Sequence, residues 1–286
     1  MIISDKWKDY EILDMANGEK LERWGNIILI RPDPQIVWSD KKVPALWKKA
    51  NAHYHRSKSG GGEWQYIKNV PKSWQIKYKD LTFNLKPMGF KHTGLFPEQA
   101  VNWDFMISKI KAAKRPIKVL NLFAYTGGAT VACASAGASV CHVDSSKGMT
   151  AWAKENVASS GLADRPVRFI IDDVNKFVQR EIRRGNKYDA IVMDPPSYGR
   201  GANGEVWNIE ECLEPLIKLC TEVLSDKPLF FLINSYTTGL SPTILANLLK
   251  MNIKQKGKIS CGEVGLPMKD SEIVLPCGIY GRWESL

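Results

Sequence analysis

From residue 116 onward the hydrophobic pattern switches back and forth between two periods. Short apolar runs, "IKVLNLFAY" (117–125), "SVCHVD" (139–144), "VRFII" (167–171), "YDAIVMD" (188–194) and "LFFLINS" (229–235), read as buried strands. Between them lie segments of helical character: "GGATVACASAGA" (127–138), "KGMTAWAKENVASS" (147–160), "VNKFVQREIRRG" (174–185), "NIEECLEPLIKLCTEVL" (208–224) and "SPTILANLLKM" (241–251). Repeated βα units predict an α/β fold with a mostly parallel, doubly wound sheet. The chain closes with "KISCGEVGLP" and "EIVLPCGIYGRW", which read as paired strands. Upstream, "FPEQAVNWDFMISKIKAAK" (96–114) is predicted helical. Pro97 suits its first turn, and Val101, Phe105, Ile107 and Ile110 supply the apolar stripe. Residues 1–86 read instead as irregular and β-rich, with strands in "NIILIRP" and "WQIKYKDLTFNL" and a loop in "SKSGGGEW" (57–64). The expected division is therefore a small basic domain over 1–86 and a larger domain over 87–286. No internal repeat appears.

Charge and composition sharpen this division. The chain has 286 residues, 44% hydrophobic, with a net charge of +10. Residues 1–120 hold 22 Lys/Arg against 12 Asp/Glu, whereas the remainder is balanced, so the excess lies wholly in the first part. Seven of the ten tryptophans lie there too. This composition fits either a solvated basic face or a footprint for polyanionic RNA with aromatics available to stack on bases. The longest apolar runs are too short to span a bilayer, and "MIISDKWKDYE" shows no secretory signal. The six cysteines have no CxxC pairing and no zinc spacing, so no metal site and a reducing, cytoplasmic setting are expected.

In a doubly wound sheet, ligands lie beyond the carboxyl ends of the strands. The first end is "NLFAYTGGAT" (121–130), where Gly127 and Gly128 let the backbone turn tightly and approach a ligand. It lacks the G-x-G-x-x-G fingerprint, which argues against a dinucleotide dehydrogenase. The second strand ends on Asp144, which can accept from both ribose hydroxyls or start a helix within "DSSKGM". The third ends on Asp172-Asp173, suited to an adenine amino group or to capping the next helix. The fourth ends on Asp194-Pro195-Pro196. Successive prolines fix φ and remove N–H donors, so the chain must leave the sheet there.

Together, "VLNLFAYTGGAT", "VDSSKGMTAWAKENV", "DDVNKF" and "DPPSYGRG" resemble the first four motifs of class I S-adenosylmethionine (SAM)-dependent methyltransferases. The branch they resemble is that of bacterial 23S rRNA methyltransferases acting on cytosine C5 or guanine N7. The resemblance spans residues 75–240 well and the first 75 loosely. It implies a Rossmann-like seven-stranded sheet with an antiparallel C-terminal strand, beside the small β-rich domain. The PUA domain of the cytosine-5 members is not expected here. The resemblance implies a SAM site formed by Asn121, Phe123, Ala124, Tyr125, Thr126, Gly127, Gly128, Asp144, Ser145, Ser146, Asp172, Asp173, Val174 and Asp194. Phe96 and Gln99 join it, because "FKHTGLFPEQAVNWDFM" resembles the segment that borders the cofactor. Phe123 and Tyr125 stand where many members have glycine, and Asn121 where they have an acid. The acceptor base is expected beside Asp194, Pro195, Pro196, Tyr198 and Asn234.

Methyl transfer from a sulfonium needs alignment more than acid–base chemistry. That suits a chain whose four histidines are scattered: His142 reads as a core residue, and only His92, beside "GLFPEQ", is kept as a site candidate. The cytosine-5 members carry a nucleophilic cysteine after the fifth strand; here the matching stretch is "LINSYTTG" (232–239), without one. The expectation is therefore methylation of a base nitrogen, guanine N7 foremost, with 23S rRNA as partner and no membrane association. The alternatives are a methyltransferase of a protein or small molecule and a non-catalytic SAM- or RNA-binding module.

Overall fold

The computed structural model describes residues 1–57, 61–200 and 204–286. The chain divides into two compact units. The larger comprises Met1–Ile2, Val101–Val264 and Gly278–Leu286; the smaller comprises Ile3–Ala100 and Gly265–Cys277. Residues 87–100 and 265–277, which the sequence-based division put in the larger domain, thus cluster with the smaller one. Hydrogen bonds explain this: Arg31 donates to the Lys91 carbonyl, Trp64 to that of Met88, Ser4 and Trp7 to that of Pro97, and Lys269 N to Ile12 O.

The main sheet, most of whose residues belong to the larger unit, has the strand order Val167–Ile171, Ser139–Asp144, Lys118–Leu122, Ala190–Met193, Phe230–Ser235, Val274–Ser285 and Gly257–Pro267. The first five are mutually parallel, and Val274–Ser285 runs antiparallel to Phe230–Ser235. A two-residue strand, Ile2–Ile3, makes the sheet eight-stranded where seven were expected. Central strands covered by helices on both faces need apolar residues at successive positions, and Ala190–Met193 and Phe230–Ser235 are buried throughout. Helices Gly128–Ser135, Lys147–Ser159, Val174–Arg183, Ile209–Glu222 and Pro242–Asn252 fall where the sequence pattern put them. The core runs from Leu120 and Val143 through Ile191 and Phe231 to Phe177, Leu216 and Leu245.

The helix Ala100–Ala112 follows a single turn of tighter helix, Pro97–Gln99. Its buried face is not the expected stripe. Asn102, Trp103, Met106 and Ile110 are buried, whereas Val101, Phe105 and Ile107 are half-buried. The register is set by Trp103, whose ring fills the space over Gly128; a Cβ there would lie 2.8 Å from Trp103 Cζ2.

The smaller unit holds a five-stranded sheet in the order Tyr10–Ala16, Glu19–Trp24, Ile27–Pro32, Ala52–Arg56, Gly62–Tyr66, and a separate hairpin, Trp74–Tyr78 with Leu81–Leu85. Its first turn is Asn17-Gly18, both at positive φ (54° and 74°), the two-residue connection whose twist matches paired strands. No helix among the described residues is long and apolar enough to cross a membrane.

Candidate functional site

The strands Lys118–Leu122 and Ala190–Met193 are neighbours, yet the chain leaves them toward opposite edges of the sheet. That is the topological switch point, where loops splay apart and leave a crevice. The loops there carry residues 123–128, 144–146, 172–174, 194–198 and 234–237.

The first loop is conformationally unusual. Phe123 (φ 52°), Tyr125 (φ 50°) and Gly127 (φ 83°) all occupy the left-handed region. Two side-chain-bearing residues therefore keep the backbone shape that glycine adopts freely, at a cost of ~1–2 kcal/mol each. Neighbours hold it there. Ala124 N donates to Val143 O (3.1 Å), Tyr125 N to Asp144 Oδ2 (2.8 Å), and Asn156 Nδ2 to the Thr126 carbonyl (2.8 Å). Gly127 is needed for packing as well as φ, because a Cβ there would meet Ala153 Cβ at 2.9 Å. Beneath the loop, buried Asn121 donates to Thr130 Oγ1, which also bonds His142 Nδ1, each at 2.9 Å. Asn121 thus builds the floor of the site. Burial pushes His142 down to about 3, so it is a neutral core residue, as expected from its mid-strand position.

Asp144 accepts from Tyr125 N through one oxygen and from Ser146 N through the other, both at 2.8 Å. Burial raises its pKa, against the lowering effect of these two N–H groups. The helix cap is Ser146, whose Oγ accepts from Met149 N, so capping does not account for Asp144. Ser145 is exposed beside it. At the third strand the two aspartates separate in role. Asp173 caps the next helix by accepting from Lys176 N (2.9 Å), with Val174 buried behind it. Asp172 is ion-paired with Arg180 and accepts from Asp173 N.

The strand Ala190–Met193 stops one residue before Asp194, as the double proline requires. Asp194 is half-buried, Pro195 buried and Pro196 exposed. A short hairpin that the sequence reading missed follows, Tyr198–Arg200 with Val206–Asn208. Three-residue strands are too short to show a period. Trp207 on this hairpin donates to the Pro196 carbonyl (2.6 Å) and packs edge-on against Phe123, 4.8 Å between centroids. Phe123, Trp207 and Pro196 therefore form one wall, and Tyr198 is 57% exposed beside it. Ser197 and Thr237 bond through their hydroxyls at 2.7 Å, tying this turn to the loop after the fifth strand. Asn234, at that strand's end, is only 3% exposed, and its Oδ1 accepts from Asn102 Nδ2 (2.8 Å).

Phe96, Gln99 and His92 belong to the smaller unit. Gln99 is buried, Phe96 half-buried against His92, and burial lowers His92 to about 4. Of the basic residues in segment 41–91, Lys41, Lys42, Lys48, Lys49, Arg56, Lys68 and Lys72 are exposed; Lys58 lies outside the described residues. Trp64 is half-buried, its indole N–H donating to the Met88 carbonyl, whereas Tyr66 (56%) and Phe90 (60%) are the exposed rings.

No cysteine lies among these loops. Burial pushes Cys133 up to about 12, Cys141 up to about 11 and Cys220 well up, so these thiols are inert. No group of three or more His, Cys, Asp or Glu suited to a metal occurs among the described residues. The constellation offers hydrogen-bond acceptors, aromatic walls and a shaped turn, which align reactants rather than shuttle protons.

A family model described as "S-adenosylmethionine-dependent methyltransferase" matches residues 45–235. The ribosomal RNA large subunit methyltransferase K/L of Shewanella frigidimarina (strain NCIMB 400) is 37% identical over 143 residues, 48% of this chain and 19% of that protein. The chain thus spans about a fifth of the length of that curated relative. The crystal structure of the SAM-dependent methyltransferase from Agrobacterium tumefaciens superposes with a TM-score of 0.95 at 36% identity, covering all of this chain and 93% of that one. The structure of SMU.776 complexed with SAH superposes at 0.77 and 19% identity, over 98% of this chain and 76% of that one, a likeness of fold.

Proposed function

Because the chain belongs to the S-adenosylmethionine-dependent methyltransferase family, we propose that it transfers the methyl group to a base nitrogen of ribosomal RNA, guanine N7 foremost. The observation that carries the choice of atom is the stretch Asn234-Ser235-Tyr236 at the end of the fifth strand. Cytosine C5 becomes nucleophilic only after a thiolate adds to C6, and a serine hydroxyl is far less acidic than a thiol, whose ordinary pKa is ~8.5. Guanine N7 carries a lone pair that needs neither activation nor deprotonation. The likeness to the rRNA methyltransferase K/L supports RNA as the acceptor, and the basic surface supports a polyanion.

The residues at the switch point fit the cofactor. When bound, SAM supplies an electrophilic methyl on a sulfonium. Asp144 has acceptor capacity beyond its two backbone bonds, and in this reading it takes the ribose hydroxyls. Ser145, Ser146 and Asp172-Asp173-Val174 flank the adenine, with Asp172 held by Arg180 and Asp173 by the helix cap. The left-handed loop from Phe123 to Gly128 turns its backbone around the methionine part. Asp194 and the Pro195 carbonyl orient the polar edge of the base, and exposed Tyr198 covers its face. Catalysis is then mostly alignment, worth ~7–11 kcal/mol when a nucleophile is held in line with the methyl.

Incubation with labelled SAM and transcribed large-subunit rRNA, followed by nucleoside mass spectrometry, is expected to give 7-methylguanosine. Appearance of 5-methylcytidine, or a covalent adduct with 5-fluorocytidine RNA, overturns the choice of atom. Label in total protein with none in RNA overturns the acceptor class.

RNA affinity is expected to reside in Lys41, Lys42, Lys48, Lys49, Arg56, Lys58, Lys68 and Lys72. Trp64, the stacking candidate read from the sequence, is partly covered, and exposed Tyr66 and Phe90 are better placed to meet bases. Replacing several of these cations by glutamine should weaken binding and flatten its salt dependence by about 0.7 log–log units per lost single-strand phosphate contact. An unchanged slope in filter-binding titrations marks the charge as solvated surface.

A further inference from the structure

The larger unit contains a polar relay ending at the acceptor side of the site. Arg282, on the strand Val274–Ser285, lies with its guanidinium 4.4 Å from the ring centroids of both Phe105 and Tyr280. It donates through Nη2 to Oδ1 of Asn102, on the helix Ala100–Ala112. Asn102 donates in turn through Nδ2 to Oδ1 of Asn234, on the strand Phe230–Ser235. Both asparagines are buried, at 1% and 3% exposure.

The polarity of this relay is dictated from one end. An isolated asparagine amide can be turned either way. Arginine, however, has five donors and no acceptor, so the atom of Asn102 facing it must be the carbonyl oxygen. The Asn102 amide nitrogen must then face Asn234, and Asn234 must meet it with its own oxygen. That leaves the Nδ2 of Asn234, a donor, on the other side. Burial lowers Arg282 to about 10, which still leaves it protonated at neutral pH, so the direction does not reverse. Asn234 lies one residue past the pair Met193–Ile233, and Met193 immediately precedes Asp194.

We infer that Arg282 and Asn102 are positioning residues that hold Asn234 as a hydrogen-bond donor toward the methyl acceptor, and so select a base edge that accepts. This rests on the reading of the site as one that methylates an RNA base. Guanine offers O6 and N7, both acceptors, on the edge that would be methylated, whereas adenine and cytosine place an amino donor there. A donor fixed at Asn234 favours the first and opposes the others. The relay therefore adds selectivity to a site with no reactive side chain of its own.

Asn102→Asp tests this because it is isosteric and keeps the bond to Arg282, yet offers Asn234 only an acceptor. The Asn234 amide must then turn over and present oxygen to the base. With labelled SAM and transcribed large-subunit rRNA, kcat is expected to fall about 10–100-fold, while KM for SAM and the melting temperature stay near wild type. A purely structural role would leave all three unchanged. A folded Asn102→Asp protein that transfers at the wild-type rate overturns the relay. A stability cycle tests the Asn102–Asn234 bond itself without any acceptor. Asn102→Asp and Asn234→Asp each leave one N–H between the two side chains, but the double variant leaves none. Its folding equilibrium constant should lie at least about tenfold below the value expected from the singles. Additive singles overturn the relay. If wild-type protein labels no RNA while the cycle is non-additive, the RNA reading fails and the bond between Asn102 and Asn234 stands.

Discussion

Asp144→Ala is expected to lower SAM affinity by about two to four orders of magnitude. A carboxylate accepting two ribose hydroxyls makes charge-assisted hydrogen bonds worth ~1.5–3 kcal/mol each, and alanine removes both. The same carboxylate holds Tyr125 N and Ser146 N, so the variant also releases the left-handed loop. Leaving a buried N–H unpaired costs a further ~1–3 kcal/mol, and the melting temperature without cofactor should fall too. Asp144→Asn, with one acceptor retained, should lie between. Isothermal titration of folded variants decides it: SAM affinity unchanged in Asp144→Ala would remove the ribose role. A pH series gives a second reading. Because burial raises the Asp144 pKa, ionising it costs folding stability as pH rises through that raised value. Cofactor binding, which uses the ionised form, strengthens over the same window. Affinity should therefore weaken on acidification already above the ordinary carboxylate range, and this step should vanish in the alanine variant.

Arg31→Met is expected to destabilise the smaller unit by about 3–5 kcal/mol, the cost of stranding a buried charge. Glu22 is fully buried and accepts from Arg31 Nε at 2.6 Å, Arg31 Nη2 at 2.8 Å and the Tyr10 hydroxyl at 2.6 Å. Arg31 also stacks over Trp24, 5.0 Å from its centroid, and its Nη1 donates to the Lys91 carbonyl. Removing the cation takes both guanidinium bonds from Glu22 and leaves it the Tyr10 hydroxyl and, at 3.8 Å, Lys20 Nζ. The double variant Glu22→Leu/Arg31→Met should recover much of the loss, because apolar groups of similar volume remove the charge as well as its partner. Urea unfolding monitored by tryptophan fluorescence measures this, and a loss under ~1 kcal/mol in Arg31→Met would contradict it. The sign of the pH dependence follows from Glu22. Despite the opposing effect of its own burial, Arg31 and Lys20 hold it down to about 2. Its stabilising contribution is therefore complete above the unfolded value of ~4.3 and is lost as pH falls through about 2.

The βα alternation after residue 116, with strands ending on Asp144, Asp172 and Asp194, was legible in the chain because it is local. Period, strand composition and proline punctuation depend only on neighbours in sequence, and they determined the helices, the parallel sheet and the loops at its ligand end. The glycine pair and the double proline were legible for the same reason, since each acts through its own backbone. Tertiary structure decided what depends on residues far apart in sequence. It turned the Ala100–Ala112 helix onto Trp103 instead of Phe105, because the space over Gly128 accepts that ring. It assigned the cap to Ser146 and Asp173, leaving Asp144 and Asp172 for other partners, a choice that rests on a few ångströms of backbone position. It brought residues 265–277 to the N-terminal sheet, where Ile12 bridges Met268. It also joined Asn102, Asn234 and Arg282, a chain of hydrogen bonds spanning 180 residues. Periodicity cannot report such a chain, because nothing in the spacing of three polar residues shows which way their amides face.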